Sequence, residues 1–249
     1  MRTLTHWLFS LILIGVYATS HAWTLPKHHL HLQLGDVYVS PASNSQDILI
    51  QGLIGDVFTS TYRSRLSNNN NIFYGLGYFF DGPTYGMTNI YYGLDAFYLG
   101  QINVKGDVTA EGLFTNLSFQ YTQTNIPIYA SIKGEIKNDM PDFSDMAITF
   151  DLGAGPNIQP TTFQESSIDN GVTIPDNIFA GANNLSSITF GATVGAGLKI
   201  NDVFFNVPLE CGYRFFYLGG NGLSKKTNQV VNTLNVPYYA QAVICAISF

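Results

Sequence analysis

The chain has 249 residues, of which 46% are hydrophobic and only 11% charged, and it carries 18 Phe, 15 Tyr and 24 Gly. A soluble domain averages about 25% charged residues, so there are too few here to coat a water-facing surface of this size. The aromatic content excludes a disordered chain, and a net charge of −6 without a basic patch excludes the electrostatic footprint of a nucleic-acid binder.

The first segment reads as a secretory signal peptide over residues 1–22. Arg2 supplies the positive start, Trp7 to Ala18 the apolar run, and Ser20-His21-Ala22 the small-residue cleavage site. The run is too short for a spanning helix, which needs about 20 apolar residues. The mature chain is then expected to be a single domain over 23–249, exported from the cytoplasm. Only helices and closed barrels pair every backbone group internally, so an exported chain with a lipid-facing surface and no such helix is expected to be a barrel.

Eight alternating segments follow, most of them about the ten residues that a tilted membrane strand needs. They are Leu30–Val39, Ile72–Phe80, Asn89–Val104, Phe119–Glu135, Met146–Asn157, Ile188–Ile200, Val203–Tyr217 and Tyr238–Phe249. The connections alternate between long (Ser40–Asn71, Ile158–Ser187, Leu218–Pro237) and short (Asp81–Thr88, the two-residue turn Asn201-Asp202), with Lys105–Ser118 and Ile136–Asp145 intermediate. This pattern predicts an all-β fold: an eight-stranded antiparallel up-and-down transmembrane β-barrel with long extracellular loops. Ile48–Phe58 is apolar enough to be a strand. It is placed in the first external loop, packed on the rim, with its use as the first spanning strand as the alternative.

Side-chain alternation fixes which face is which. In Val203–Tyr217 one face carries Phe205, Val207, Leu209, Cys211, Tyr213, Phe215 and Tyr217, and the other carries Glu210 and Arg214. A mid-depth Arg facing lipid costs about 2–4 kcal/mol, so Glu210 and Arg214 point inward. The same parity puts Asp95, Asp151 and Lys199 inside. In Phe119–Glu135 the apolar parity shifts between Tyr121 and Ile126, which predicts a β-bulge near Gln123–Asn125 and sets Lys133 and Glu135 inside. An eight-stranded barrel is just wide enough to be filled by its side chains. Asp95, Lys133, Glu135, Asp151, Lys199, Glu210 and Arg214 are therefore expected to form a salt-bridged interior network that plugs the barrel. A small gated conductance is the competing role.

The last segment places Tyr239, Val243, Cys245 and Ile247 on the face of the terminal Phe249. A terminal aromatic preceded by alternating hydrophobes looks like the signal read by the outer-membrane barrel assembly machinery, with Tyr239, Val243, Ile247 and Phe249 as its residues. With the glycine-aromatic strands Tyr74-Gly75-Leu76-Gly77-Tyr78, Gly191–Gly197 and Gly212-Tyr213-Arg214-Phe215, the chain resembles the opacity/OmpA-like family of eight-stranded outer-membrane barrels of Gram-negative bacteria. The resemblance covers most of the mature chain. It implies a surface-exposed protein of the bacterial outer membrane, often structural or adhesive, with outer-membrane lipid and lipopolysaccharide around it and a host or surface ligand at its loops. Set against OmpA, the chain is expected to lack a C-terminal peptidoglycan-binding domain.

No catalytic site, metal or cofactor is expected. His28, His29 and His31 all precede the first strand's centre, away from the loops, and no further metal ligand accompanies them. Cys211 and Cys245 fall on neighbouring strands and are read as two small lipid-facing residues, with a disulfide as the other possibility. Arg63, Arg65, Glu165, Asp169, Asp176, Lys225 and Lys226 are read as mixed-charge loop surface. The functional expectation is a structural or adhesin-like surface protein. The alternative is a narrow gated channel or a carrier for small solutes or hydrophobic ligands, and a soluble lipocalin-like barrel is the third reading.

Overall fold

The structure, a computed structural model, describes residues 27–40, 45–51, 55–68, 70–111, 114–137, 145–168, 178–179, 185–204, 207–220, 222–223, 225 and 230–249. The expected signal peptide, Asp169, Asp176 and Lys226 lie outside these residues. The described elements are all strands: β1 (His28–Ser40), β2 (Ser45–Gln51), β3 (Val57–Asn68), β4 (Asn70–Tyr85), β5 (Thr88–Tyr98), β6 (Gln101–Ala110), β7 (Phe114–Thr124), β8 (Ile126–Lys137), β9 (Met146–Ser167), β10 (Leu185–Phe204), β11 (Val207–Tyr217) and β12 (Tyr239–Ser248).

Their antiparallel pairing closes a ring of eight: β1–β4–β5–β8–β9–β10–β11–β12 and back to β1. The two chain ends meet in it, because Leu30 and Phe249 exchange both backbone hydrogen bonds at 3.0 Å. The other four strands lie outside the ring. The far half of β9 continues beyond the barrel and pairs with β7, and β6, β3 and β2 follow. This extension of the sheet forms a cap at the end of the barrel opposite the chain ends.

Side chains alternate across the ring wall. The outer face is apolar, with Phe190 70%, Ile188 67%, Val243 64% and Leu94 61% exposed. Aliphatic residues predominate in its middle, with Phe150 and Tyr213 among them. Aromatic pairs mark its two edges: Tyr74 opposite Tyr98 and Tyr217 opposite Tyr239 near the cap, Phe80 opposite Tyr92 at the other end. The polar interruptions sit toward the cap-side edge, at Asp36 beside Tyr38 and at Gln241, which accepts a hydrogen bond from Tyr213 Oη at 2.7 Å.

The cap corrects three expectations. Asn89–Val104 is two strands, not one: β5 stays in the ring and β6 leaves it. Gly100 makes the break, with φ +71, a conformation that a side chain would strain. Lys105–Ser118 is consequently not a loop but most of the β6–β7 hairpin. Phe119–Glu135 likewise divides into β7 and β8, without the expected bulge. The register against β9 runs unslipped from Leu117↔Ser167 through Gln123↔Thr161 and Ile126↔Ile158 to Lys137↔Ala147. The extra residue lies on the neighbouring strand, between Phe97 and Gly100. Parity never shifts. Phe119, Tyr121, Gln123, Tyr129, Lys133 and Glu135 all point inward, and what changes is the interior, from charged in the barrel to aromatic in the cap. The expected turn at Asn201-Asp202 is also displaced. β10 runs on to Phe204, which pairs with Val207. The register shifts between Ile200 and Phe204; the faces assigned to Ile188–Ile200 and to Leu209–Tyr217 stand, and Phe205 lies outside the described residues.

Ile48–Phe58 divides between β2 and β3 of the cap sheet, in the first external connection, and β1 holds the ring position beside β12.

Candidate functional site

The inner wall of the barrel carries Asp95 on β5, Lys133 and Glu135 on β8, Asp151 on β9, Lys199 on β10, and Glu210 and Arg214 on β11. All are buried except Lys199, whose side chain retains 17% exposure. Arg214 sits between two carboxylates, 3.2 Å from Asp151 and 3.7 Å from Asp95. Lys133 lies 3.8 Å from Asp151 and reaches across the lumen to Glu210. Lys199 pairs with Glu135 at 2.7 Å, although Glu210 is its register neighbour. Two connected groups result: Asp95–Arg214–Asp151–Lys133–Glu210, and Lys199–Glu135.

Neutral side chains complete these groups. Gln33 donates to Asp95 at 2.9 Å, Thr149 to Glu210 at 2.8 Å, and Tyr91 to Glu135 at 3.2 Å. Thr149 and Tyr91 were legible as inward-facing from alternation. Gln33 was overlooked, although it shares its strand face with His29 and His31.

An aromatic cluster follows on the cap side of the charges. The Arg214 guanidinium carbon stands 4.9 Å from the Phe97 ring centroid. Phe97 packs on Phe216 (5.3 Å), Phe73 (6.1 Å) and Tyr129 (6.2 Å). Glycines on the same wall make room for the rings, since a Cβ at Gly35 would come within 2.5 Å of Phe73 and one at Gly75 within 2.7 Å of Phe97. Above the rings, Asn157 and Gln159 both donate to Asn125 and to the Leu218 carbonyl. The interior is thus layered as charges, aromatic rings and amides, with the cap core beyond.

The cap core is a separate apolar cluster that includes Ile48, Tyr62, Val104, Phe119, Phe163, Phe179 and Leu234. Glu165 is inside it rather than on a loop surface, because β9 extends past the barrel and alternation turns residue 165 inward. Tyr62 Oη donates to Glu165 Oε1 at 2.5 Å. Burial holds the Glu165 carboxyl above the usual carboxylate range, opposed by hydrogen bonds from Tyr62 and the Ile178 backbone. A raised carboxyl pKa stabilises the fold fully below the unfolded value and loses that contribution as pH rises through the folded one. We expect wild type to lose stability relative to Glu165→Gln, read from urea midpoints, as pH rises from about 4 to about 8, because only the wild-type side chain must ionise in the cap core. Wild type gaining on the variant over that range would contradict the assignment.

The cap's outer face is polar. Arg65 lies 3.5 Å from Asp107 and directly opposite Lys105, and Gln120 and Gln164 extend the row across β7 and β9. Arg63 is exposed on the same face.

The histidines stand at the end where the chain termini meet. His29 Nε2 is 2.8 Å from Asp81, and His31 packs against Phe79 at 4.9 Å. Among the described residues no cluster of three His, Cys, Asp or Glu is placed to hold a metal. A cavity of about 350 Å³ opens there, lined by His29, His31, Tyr91, Lys133, Glu135 and Lys199 among others. Tyr239, Val243 and Ile247 of β12, and Phe249 just after it, line the outer face, three of them well exposed and Ile247 partly so.

Of the two readings of the cysteines, the structure holds the disulfide. Cys211 and Cys245 are directly opposite in the β11–β12 register, with Cα atoms 4.1 Å apart, and are joined by a disulfide. The close approach of directly opposed strand residues supplies the geometry.

A closed ring with charges inside and an apolar belt outside defines the class: a β-barrel whose solvent preference is inverted relative to a soluble one. No protein-family model matches the chain, and no curated protein matches it. Solved structures are similar to it over most of their length. The outer membrane protein OprG of Pseudomonas aeruginosa is 12% identical, with 90% of this chain and 97% of that chain covered and a TM-score of 0.45. The outer membrane protease OmpT of Escherichia coli is 8% identical (92% and 97% covered, TM-score 0.41), and the Neisserial surface protein A is 10% identical (89% and 95%, 0.37).

Proposed function

We propose that the chain is an outer-membrane surface protein, non-catalytic, in which the barrel is the anchor and the cap is the surface that meets other molecules. The observation that carries this reading is the apolar belt around a closed barrel whose charges point inward. Soluble monomers rarely expose a contiguous apolar patch beyond a few hundred Å². The aromatic edges of the belt match the interfacial girdles of membrane barrels. In this reading the belt contacts outer-membrane lipid and lipopolysaccharide, residues 1–22 direct export, and the outer face of β12 ending on Phe249 addresses the barrel assembly machinery. The cap, with Arg63, Arg65 and Lys105 outward, is where an adhesin-like contact with a host or surface ligand would be made.

Two measurements test it. The refolded chain should float with lipid vesicles and migrate differently on gels before and after boiling. Solubility without detergent and no shift would overturn the membrane reading. Protease added to intact cells should cut in the cap, and cleavage confined to Gly86-Met87 at the other end would invert the orientation.

The alternative is a narrow gated channel, favoured by the charge-lined cavity at the open end. That cavity is separated from the cap by the Phe73, Phe97, Phe216 and Tyr129 rings. We therefore expect the refolded chain to be silent in a planar bilayer. Reproducible conductance steps that grow in Arg214→Ala would put the channel first.

A further inference from the structure

The two cysteines of the chain are Cys211 and Cys245. Both sulfurs belong to the outer face. Cys211 alternates with Leu209 and Tyr213 along β11, and Cys245 with Val243 and Ile247 along β12. The neighbouring strands set Leu198 beside Cys211 and Leu34 beside Cys245. The bond therefore sits within the apolar belt, between the Tyr217–Tyr239 pair on the cap side and Phe249 at the other end.

Thiol–disulfide exchange proceeds through the thiolate, which must reach the partner's sulfur. A thiol held against hydrocarbon does not ionise, and an aqueous oxidant cannot approach it there. Once the barrel is in lipid, the bond can be neither made nor broken from the aqueous side. We infer that the disulfide forms while β11 and β12 are still in water, so that the C-terminal hairpin reaches the membrane already cross-linked. The inference rests on the membrane reading of the belt.

The reagent implied is an aqueous disulfide-bearing oxidant in the compartment outside the cytoplasm. One cysteine thiolate attacks the oxidant's disulfide, giving a mixed disulfide and releasing one oxidant sulfur as a thiolate. The second cysteine thiolate then attacks the protein-side sulfur, closing the Cys211–Cys245 bond and expelling the oxidant's other sulfur. The two cysteines lose two electrons, the oxidant gains them as a dithiol, and the cysteine protons pass through water to its sulfurs. The consequence is a hairpin whose register is fixed before the ring closes, and a bond insulated from later changes in redox conditions.

The order of events is read directly in pulse-labelled cells, with free thiols blocked at each time point and samples run unreduced, boiled and unboiled. The expected sequence is an oxidised chain without the folded-form gel shift, followed by the oxidised folded form. A reduced folded form that later becomes oxidised would overturn the inference. A second measurement uses the full oxidised chain in phosphatidylcholine vesicles, treated with a water-soluble phosphine reductant. Reduction of the floated protein is expected to be at least about a hundredfold slower than that of the chain in urea. Rates within about threefold of each other, with flotation intact, would overturn the inference and leave the membrane reading standing. Failure to float would bring down both. The Cys211→Ser/Cys245→Ser variant, run alongside, marks the signal of a chain that has no bond to reduce.

Discussion

Arg214→Ala is expected to lose about 3–5 kcal/mol of stability, the largest effect of any single change in the barrel interior. Its guanidinium lies between Asp95 and Asp151 and over the Phe97 ring, and all three charged side chains are no more than 5% exposed. Removing the cation leaves two carboxylates without their shared partner. Asp151 keeps Lys133 at 3.8 Å, and Asp95 keeps only hydrogen bonds such as that from Gln33. Truncation also opens a gap beneath the rings. Removing one partner of a buried pair is far more costly than replacing the whole pair with neutral groups of similar shape. The triple variant Asp95→Asn/Asp151→Asn/Arg214→Gln should therefore recover more than half of the loss, since it leaves the Lys133–Glu210 pair in place. Urea unfolding in lipid vesicles, followed by the folded-form gel shift, checks both. An Arg214→Ala midpoint within about 1 kcal/mol of wild type would mean that the charges are not held in a dry, mutually dependent network. Arg214→Lys should also destabilise, because an ammonium point charge cannot bridge two carboxylates as a planar fork does.

How much of this arrangement the chain announces depends on the length scale of the question. Facing is decided residue by residue, and the contrast between Glu210 and Arg214 on one side and Leu209, Cys211 and Tyr213 on the other settles it for a whole strand. Pairing is not decided so locally. Lys199 is beside Glu210 in register yet bonds Glu135, while Lys133 crosses the lumen to Glu210. Such contacts depend on the stagger of the strands around the barrel, which no single strand encodes. The cap was missed for a different reason. β7 and β8 keep their alternation across the break and so read as one long strand, whereas between β5 and β6 the inward parity passes from Asp95 and Phe97 to Ile102 and Val104 inside one apolar stretch that hides the break. The change from a charged interior at Lys133 and Glu135 to an aromatic one at Phe119 and Tyr121 then mimics a slipped register. Glu165 reads as loop surface because the fifth segment is taken to end at Asn157, although Phe163 and Glu165 continue the inward parity of Asp151 and Asn157. The disulfide needed a register that only the folded β11–β12 pair supplies.

Leu198→Arg is the substitution that separates a lipid-facing belt from a water-facing one most sharply. Leu198 is 51% exposed on the outer face of β10, in register with Ile148 on β9 and Cys211 on β11. If that face meets hydrocarbon, an arginine at this depth should cost about 2–4 kcal/mol, and less as the position moves toward an interface. Ile188 provides the control on the same strand and the same face. It is 67% exposed but lies near the cap, beyond the last described β10–β11 pair, Ala192↔Tyr217. Ile188→Arg should cost no more than about 1 kcal/mol. Water on that face predicts something else, because exposed substitutions away from special features stay within about 0.5 kcal/mol at either position. The difference between the two variants therefore reports what surrounds the barrel, independently of what either arginine does to the strand itself. Equal, small costs at Leu198 and Ile188 in lipid vesicles would remove the membrane from the account. A gradient from Leu198 to Ile188 would place the edge of the hydrocarbon between those two positions, the interval that holds Ala192 and its register partner in the Tyr217–Tyr239 pair.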